Sequence, residues 1–123
     1  MSSMTKRARL EAAIRGDEPD RVPVALWRHF PGDDQDPAAL ATSTLGFQQQ
    51  YDFDFIKVTP ASSFAVRDWG VEDIWTGNQE GTRDYSRQPV RSPEQWQALP
   101  RLETDQGALG AQLYCLERIH DAV

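Results

Sequence analysis

The stretch PDRVPVALWRHFPGDDQDP, residues 19–37, decides how the fold is read. Its first part, RVPVALW (21–27), is short, apolar and β-branched, with Pro23 near the start, where a strand tolerates the missing amide donor. That pattern predicts a strand buried on both faces. The run then ends in Arg28 and His29 and passes into an acidic loop with Asp33, Asp34 and Asp36. In parallel α/β folds the reacting groups lie at the carboxyl ends of strands and in the loops that follow. Arg28 and His29 hold that position.

Working outward, Asp36 is placed to cap a helix that opens on Pro37, with Leu40, Thr44, Phe47 and Tyr51 as its inward stripe. DFDFIKVTP (52–60) reads as a second strand, stopped by Pro60. Strand, helix, strand is the βαβ pattern, whose strands are parallel with a right-handed crossover. Upstream, Thr5 and Gly16 bracket a first helix with Leu10, Ala13 and Ile14 on one face. Downstream, TGNQEG (76–81) between two aromatic-containing runs predicts a β-hairpin spanning Ile74 to Tyr85. Ser92, Pro93 and Gln95 open a short helix ended by Pro100. A last helix from about Gly107 carries Leu109, Leu113, Leu116 and His120 roughly a turn apart and runs to the chain end. Two strands leave sheet edges that need covering or pairing. The expectation is one domain, 1–123, that opens a larger α/β protein.

Composition narrows the function classes. Of 123 residues, 39% are hydrophobic and 26% charged, which is globular rather than disordered. Nineteen acidic against thirteen basic residues leave a formal charge of -6 with no basic cluster, which argues against nucleic acid or an anionic membrane as partner. Cys115 is the one cysteine, so no internal disulfide forms and no thiolate zinc cage is available. With no signal-peptide core and no long apolar run, the sequence reads as cytoplasmic. No glycine-rich phosphate loop supports nucleotide binding.

The candidate site residues each have two readings. Arg28 either holds a carboxylate bidentately or pairs with Asp33 or Asp34, and His29 is either a proton carrier or metal ligand or a solvated loop residue. Lys57, flanked by Ile56 and Val58, points away from both; it faces a barrel interior or pairs with an acidic neighbour. Thr59, Ser62 and Ser63 offer hydroxyls after the second strand, with no base spaced to make one a nucleophile. The acidic cluster lacks calcium-loop spacing, and His29 and His120 lie in no metal motif. Trp27, Trp69, Trp75 and Trp96 read as core and hairpin packing.

The order TKRARLEAAIRGDEPDRVPVALWR, a helix, then YDFDFIKVTPASSFAVRDWG resembles the amino-terminal part of the uroporphyrinogen decarboxylase family. The passage G-x-x-P-D-R-x-P-V, residues 16–24, is its most characteristic part. The family holds the carboxy-lyase of porphyrin biosynthesis and the cobalamin-linked methyltransferases. The resemblance covers nearly the whole chain but about a third of a family member. It implies the N-terminal portion of a (β/α)8 TIM barrel, about two βα units plus the hairpin excursion, incomplete on its own. Arg28 matches the first arginine of the decarboxylase's substrate-gripping motif. The second falls near Gly32 and is absent, and the pyrrole-holding aspartate falls on or beside Thr59. The chain therefore resembles the methyltransferase-like branch more than the true decarboxylase.

On that basis the substrate is a small molecule, a tetrapyrrole or corrinoid, met by Arg28, His29, Lys57 and Thr59. This part of the chain brings no cofactor of its own; corrinoid or zinc would belong to the full-length relative, whose metal ligands lie in later strands. A non-catalytic α/β module that forms a homo-oligomer, or completes a partner chain, over its open sheet edges fits the same sequence.

Overall fold

Helix boundaries follow local chemistry closely. A computed structural model describes residues 3–123. Thr5 accepts a hydrogen bond from the Ala8 amide and opens helix α1, Lys6–Arg15, which Gly16 closes in the left-handed region at φ 78°. Asp36 accepts from the Ala38 and Ala39 amides at 2.8 Å, Pro37 takes the first turn, and helix α2 runs Pro37–Tyr51. Strands β1, Glu72–Trp75, and β2, Arg83–Arg87, form an antiparallel hairpin. Ser92 caps helix α3, Pro93–Gln97, and helix α4 runs Gly107–Ala122.

The buried faces differ from the sequence stripes. In α1 the buried residues are Arg9 and Ala12, while Ile14 is exposed. The reason is electrostatic: a buried ion cluster described below pulls Arg9 inward. In α4 Cys115 and Ile119 are buried against Leu40 and Ala41 of α2, and Leu113, Leu116 and His120 face outward. On α2, Leu40 and Thr44 are buried as the spacing predicts, but Tyr51 is exposed and meets Phe47 and Phe53 edge-on or stacked. Phe30, Ile56 and Val58 complete the core against the two helices.

Neither predicted strand of the βαβ unit forms a ladder. Residues 22–30 and 56–60 carry no strand, and among the described residues one backbone hydrogen bond joins the two segments, from the Asp54 amide to the Val24 carbonyl at 2.9 Å. They nevertheless run side by side in the same direction. Val24 meets Asp54, and Trp27 meets Lys57, both pairs thirty residues apart. The segment 21–27 is not buried on both faces either: Val22 is 74% exposed and Leu26 62%. A strand pair needs neighbours on its outer edges to bury such residues. The sheet that does form is the two-stranded hairpin, so the architecture is mixed helix and strand.

The tryptophans are likewise more exposed than a core role requires. Trp27, Trp75 and Trp96 are all exposed, and Trp69 is only partly covered. Trp69 and Trp75 spend their indole N–H groups on the carbonyls of Pro100 and Asn78. No helix among the described residues is long and apolar enough to cross a membrane.

Candidate functional site

Side-chain direction alternates along the two parallel segments, and this sorts the four candidate residues. Ile56 and Val58 turn toward the helices, so Lys57 and Thr59 face the other way. Lys57 Nζ stands 3.5 Å from the centroid of the Trp27 ring, a cation–π contact, and Trp27 meets the His29 ring edge-on at 6.1 Å. One step further along each segment brings Thr59 level with His29. His29, Lys57 and Thr59 thus share one face. Arg28 does not join them: its guanidinium lies over Phe30, 5.1 Å from the ring centroid, and donates to the His29 carbonyl.

Two of these residues carry buried polar atoms with no partner. Thr59 is 8% exposed and its Oγ1 makes no hydrogen bond; His29 Nδ1 is buried and unpaired as well. Buried polar atoms without partners are uncommon, and Asp34 Oδ2, Thr44 Oγ1 and Arg83 Nη1 share that condition elsewhere in the fold. Above His29 lies the tip of the hairpin. Gly81 adopts φ 76°, and a Cβ built there would stand 2.5 Å from His29 Cβ and 3.3 Å from Pro31 Cγ. Only a glycine allows that approach.

The hairpin is tethered by charge. Arg83, whose side chain is 6% exposed, pairs with Asp73 across the hairpin and reaches Asp34 at 3.6 Å. Arg67 adds bonds to Asp73, Ser63 and Gln35. Burial pushes the Asp73 carboxyl up, but Ser63, Arg83 and Arg67 beside it more than offset this and hold it below the ordinary value. Tyr85 and Ser62 share a hydroxyl contact at 3.3 Å. The acidic loop therefore serves structure: Asp34 faces Arg83 and not Arg28, Asp33 accepts from Ser43, and Asp36 caps α2.

A second buried cluster fixes the opposite end of the segments. Arg9 donates to Asp20 at 2.7 Å and to Asp54 at 2.6 Å, and Arg21 binds both carboxylate oxygens of Asp54. Asp54 also accepts from the Val24 amide, which ties the two segments together. These bonds hold the Asp54 carboxyl well below the usual range through Arg21 first, and that of Asp20 through Arg9 first. The same partners raise Arg9.

No family model, curated protein or solved structure matches the chain.

The residues present do not fit a zinc ion. Among the described residues no group of three or more histidine, cysteine, aspartate or glutamate side chains is disposed around a metal. His120 is exposed beside Asp121, and Cys115 is sealed in the core. Sequence reasoning also missed Arg83, Asp73 and Arg67. Their signal was present as opposite charges on the two arms of the hairpin, where Asp73, opposite Tyr85, and Arg83, opposite Trp75, become diagonal neighbours only once the turn has set the register.

Proposed function

We propose that the chain forms the first part of a uroporphyrinogen decarboxylase-like barrel, and that the face carrying His29, Lys57 and Thr59 belongs to its small-molecule pocket. The observation that supports this reading is the pair of buried, unpartnered polar atoms, His29 Nδ1 and Thr59 Oγ1, on one face beneath the hairpin. Lys57 offers a positive charge to a substrate carboxylate, and Trp27 a flat apolar surface to a macrocycle. Arg28, turned toward Phe30, takes no part in this arrangement.

A threonine at position 59 supplies a hydroxyl where a protonated pyrrole would require a negative charge. Corrinoid-linked methyl transfer in a full-length protein is therefore the favoured activity over tetrapyrrole decarboxylation. The contribution of this chain is to bind and orient; the reacting centre belongs to later barrel units.

Titration with uroporphyrin III and with hydroxocobalamin, followed by Trp27 emission against a Trp27→Phe control, tests the reading. Saturable quenching by one of them is expected; quenching by uroporphyrin III, whose carboxylates Lys57 can meet, should weaken roughly tenfold in Lys57→Met, a loss of about 1.4 kcal/mol. Absence of saturable quenching by both ligands overturns it.

A further inference from the structure

The hairpin makes most of its polar bonds within itself. Arg83 pairs with Asp73, Arg87 pairs with Glu72, and the Trp75 indole N–H donates to the Asn78 carbonyl. In the turn, the Asn78 side chain donates to the Thr82 carbonyl at 2.7 Å and accepts from the Thr82 amide at 2.9 Å. No backbone hydrogen bond joins residues 72–87 to the rest of the described chain. The hairpin therefore keeps its shape without the surface beneath it, as a unit that can open locally must.

Its outward contacts are of two kinds. At mid-length, Asp73 accepts from Arg67 at 3.2 Å and Tyr85 meets the Ser62 hydroxyl at 3.3 Å. Nearer the tip, Gly81 rests on His29 and Pro31, and Arg83 faces Asp34. That last contact is 3.6 Å long, beyond hydrogen-bonding distance, and Arg83 Nη1 and Asp34 Oδ2 have no partner. Separating the two breaks no hydrogen bond and returns both buried charges to water, which offsets the lost attraction. The tip is thus held more weakly than the middle. The chain enters the hairpin through Gly70, at φ 92°, and leaves it through residues 88–91, which have no regular structure.

We propose that residues 72–87 form a lid over His29 that turns as one piece about Gly70 and residues 88–91, with the Arg83–Asp34 contact as its latch. Arg83 keeps Asp73 through the movement, because both lie on the hairpin. Lifting the tip takes Gly81 off the His29 side chain and uncovers Nδ1, which the closed hairpin leaves buried and unpartnered. The lid's use as a gate rests on the His29 face being a small-molecule site; the movement itself does not.

Relaxation-dispersion NMR on the chain without ligand tests the movement. Microsecond-to-millisecond exchange is expected at residues 76–83 and 29–34, with α2 and α4 silent. Asp34→Asn keeps an oxygen for the bond that Gln35 donates and should raise the open population about tenfold. Tyr85→Phe, at an exposed position, should raise it as well, and carries the test should Asp34→Asn lose its helical circular dichroism. Silence at the tip in the wild-type chain and in both variants overturns the lid. So does exchange that extends through the helices, or that brings β1 and β2 to unfolded chemical shifts. Stopped-flow quenching of Trp27 emission by uroporphyrin III and by hydroxocobalamin, read against Trp27→Phe, tests the gate. The association rate of a quenching ligand should rise with the open population in Asp34→Asn, and an unchanged rate overturns the gating role. Exchange at the tip without quenching by either ligand upholds the lid and counts against the His29 face as a ligand site.

Discussion

Lys57 Nζ stands 3.5 Å from the centroid of the Trp27 ring, on the face that also carries His29 and Thr59. Both side chains are exposed, so the contact is a modest one, about 0.5–1 kcal/mol. Lys57→Met should lower stability by no more than that and shift Trp27 emission, measured against Trp27→Phe. An unchanged spectrum would show that the ammonium does not rest on the ring.

The Arg9 cluster predicts the acid response. Asp20 and Asp54 are held below their unfolded pKa of about 3.9 by the arginines they bind. A carboxyl depressed in the folded state adds stability that is complete at neutral pH and is lost as pH falls below about 4. The melting temperature should therefore be flat near neutrality and drop steeply in acid. In Arg9→Gln the acid slope should flatten, because one shared cause of both shifts is gone. An identical slope would place the acid-sensitive groups elsewhere.

Gly81 is a test of the hairpin's seat on His29. Gly81→Ala meets a positive φ and a 2.5 Å approach to His29 Cβ at once. The expected cost is about 1–3 kcal/mol, with the His29 ring resonances shifted and hairpin amides exchanging faster. A structure-neutral substitution would mean that the tip does not rest there.

Arg83 should matter more than any other hairpin side chain. Its removal leaves Asp73 and Asp34, whose side chains are almost wholly buried, without their shared cation. Breaking one side of such a pair costs about 3–5 kcal/mol. Arg83→Met is expected to release the hairpin, seen as loss of hydrogen-exchange protection at 72–87 before the helices are affected. Uniform loss across the chain would instead make the hairpin part of the global folding unit.

Cys115 reports on the core. It is fully buried, and burial pushes its thiol up, so the native chain should not react with a thiol reagent and should react fully once denatured. Rapid labelling of the folded chain would mean that α2 and α4 separate readily.

Sequence alone determined the helix ends and the turn. Thr5, Gly16, Asp36, Pro37, Ser92 and the TGNQEG turn act within a few residues of themselves, and their hydrogen bonds do not depend on what lies across the fold. The same spacing marked Lys57 as facing away from Ile56 and Val58. Only the tertiary structure decided which stripes are buried. Apolar periodicity put Ile14 on one face with Leu10 and Ala13, and Leu113 and Leu116 a turn apart, yet the buried residues are Arg9 and Ala12 in α1 and Cys115 and Ile119 in α4, because an ion cluster draws α1 inward and α4 is positioned by α2. It also decided that residues 22–30 and 56–60 run parallel without a ladder. Strand pairing is a property of neighbours, and the neighbours of these two segments are not specified by the segments themselves. The partition of the site has the same origin: a one-residue step between Arg28 and His29 turns one toward the helices and the other toward the open face.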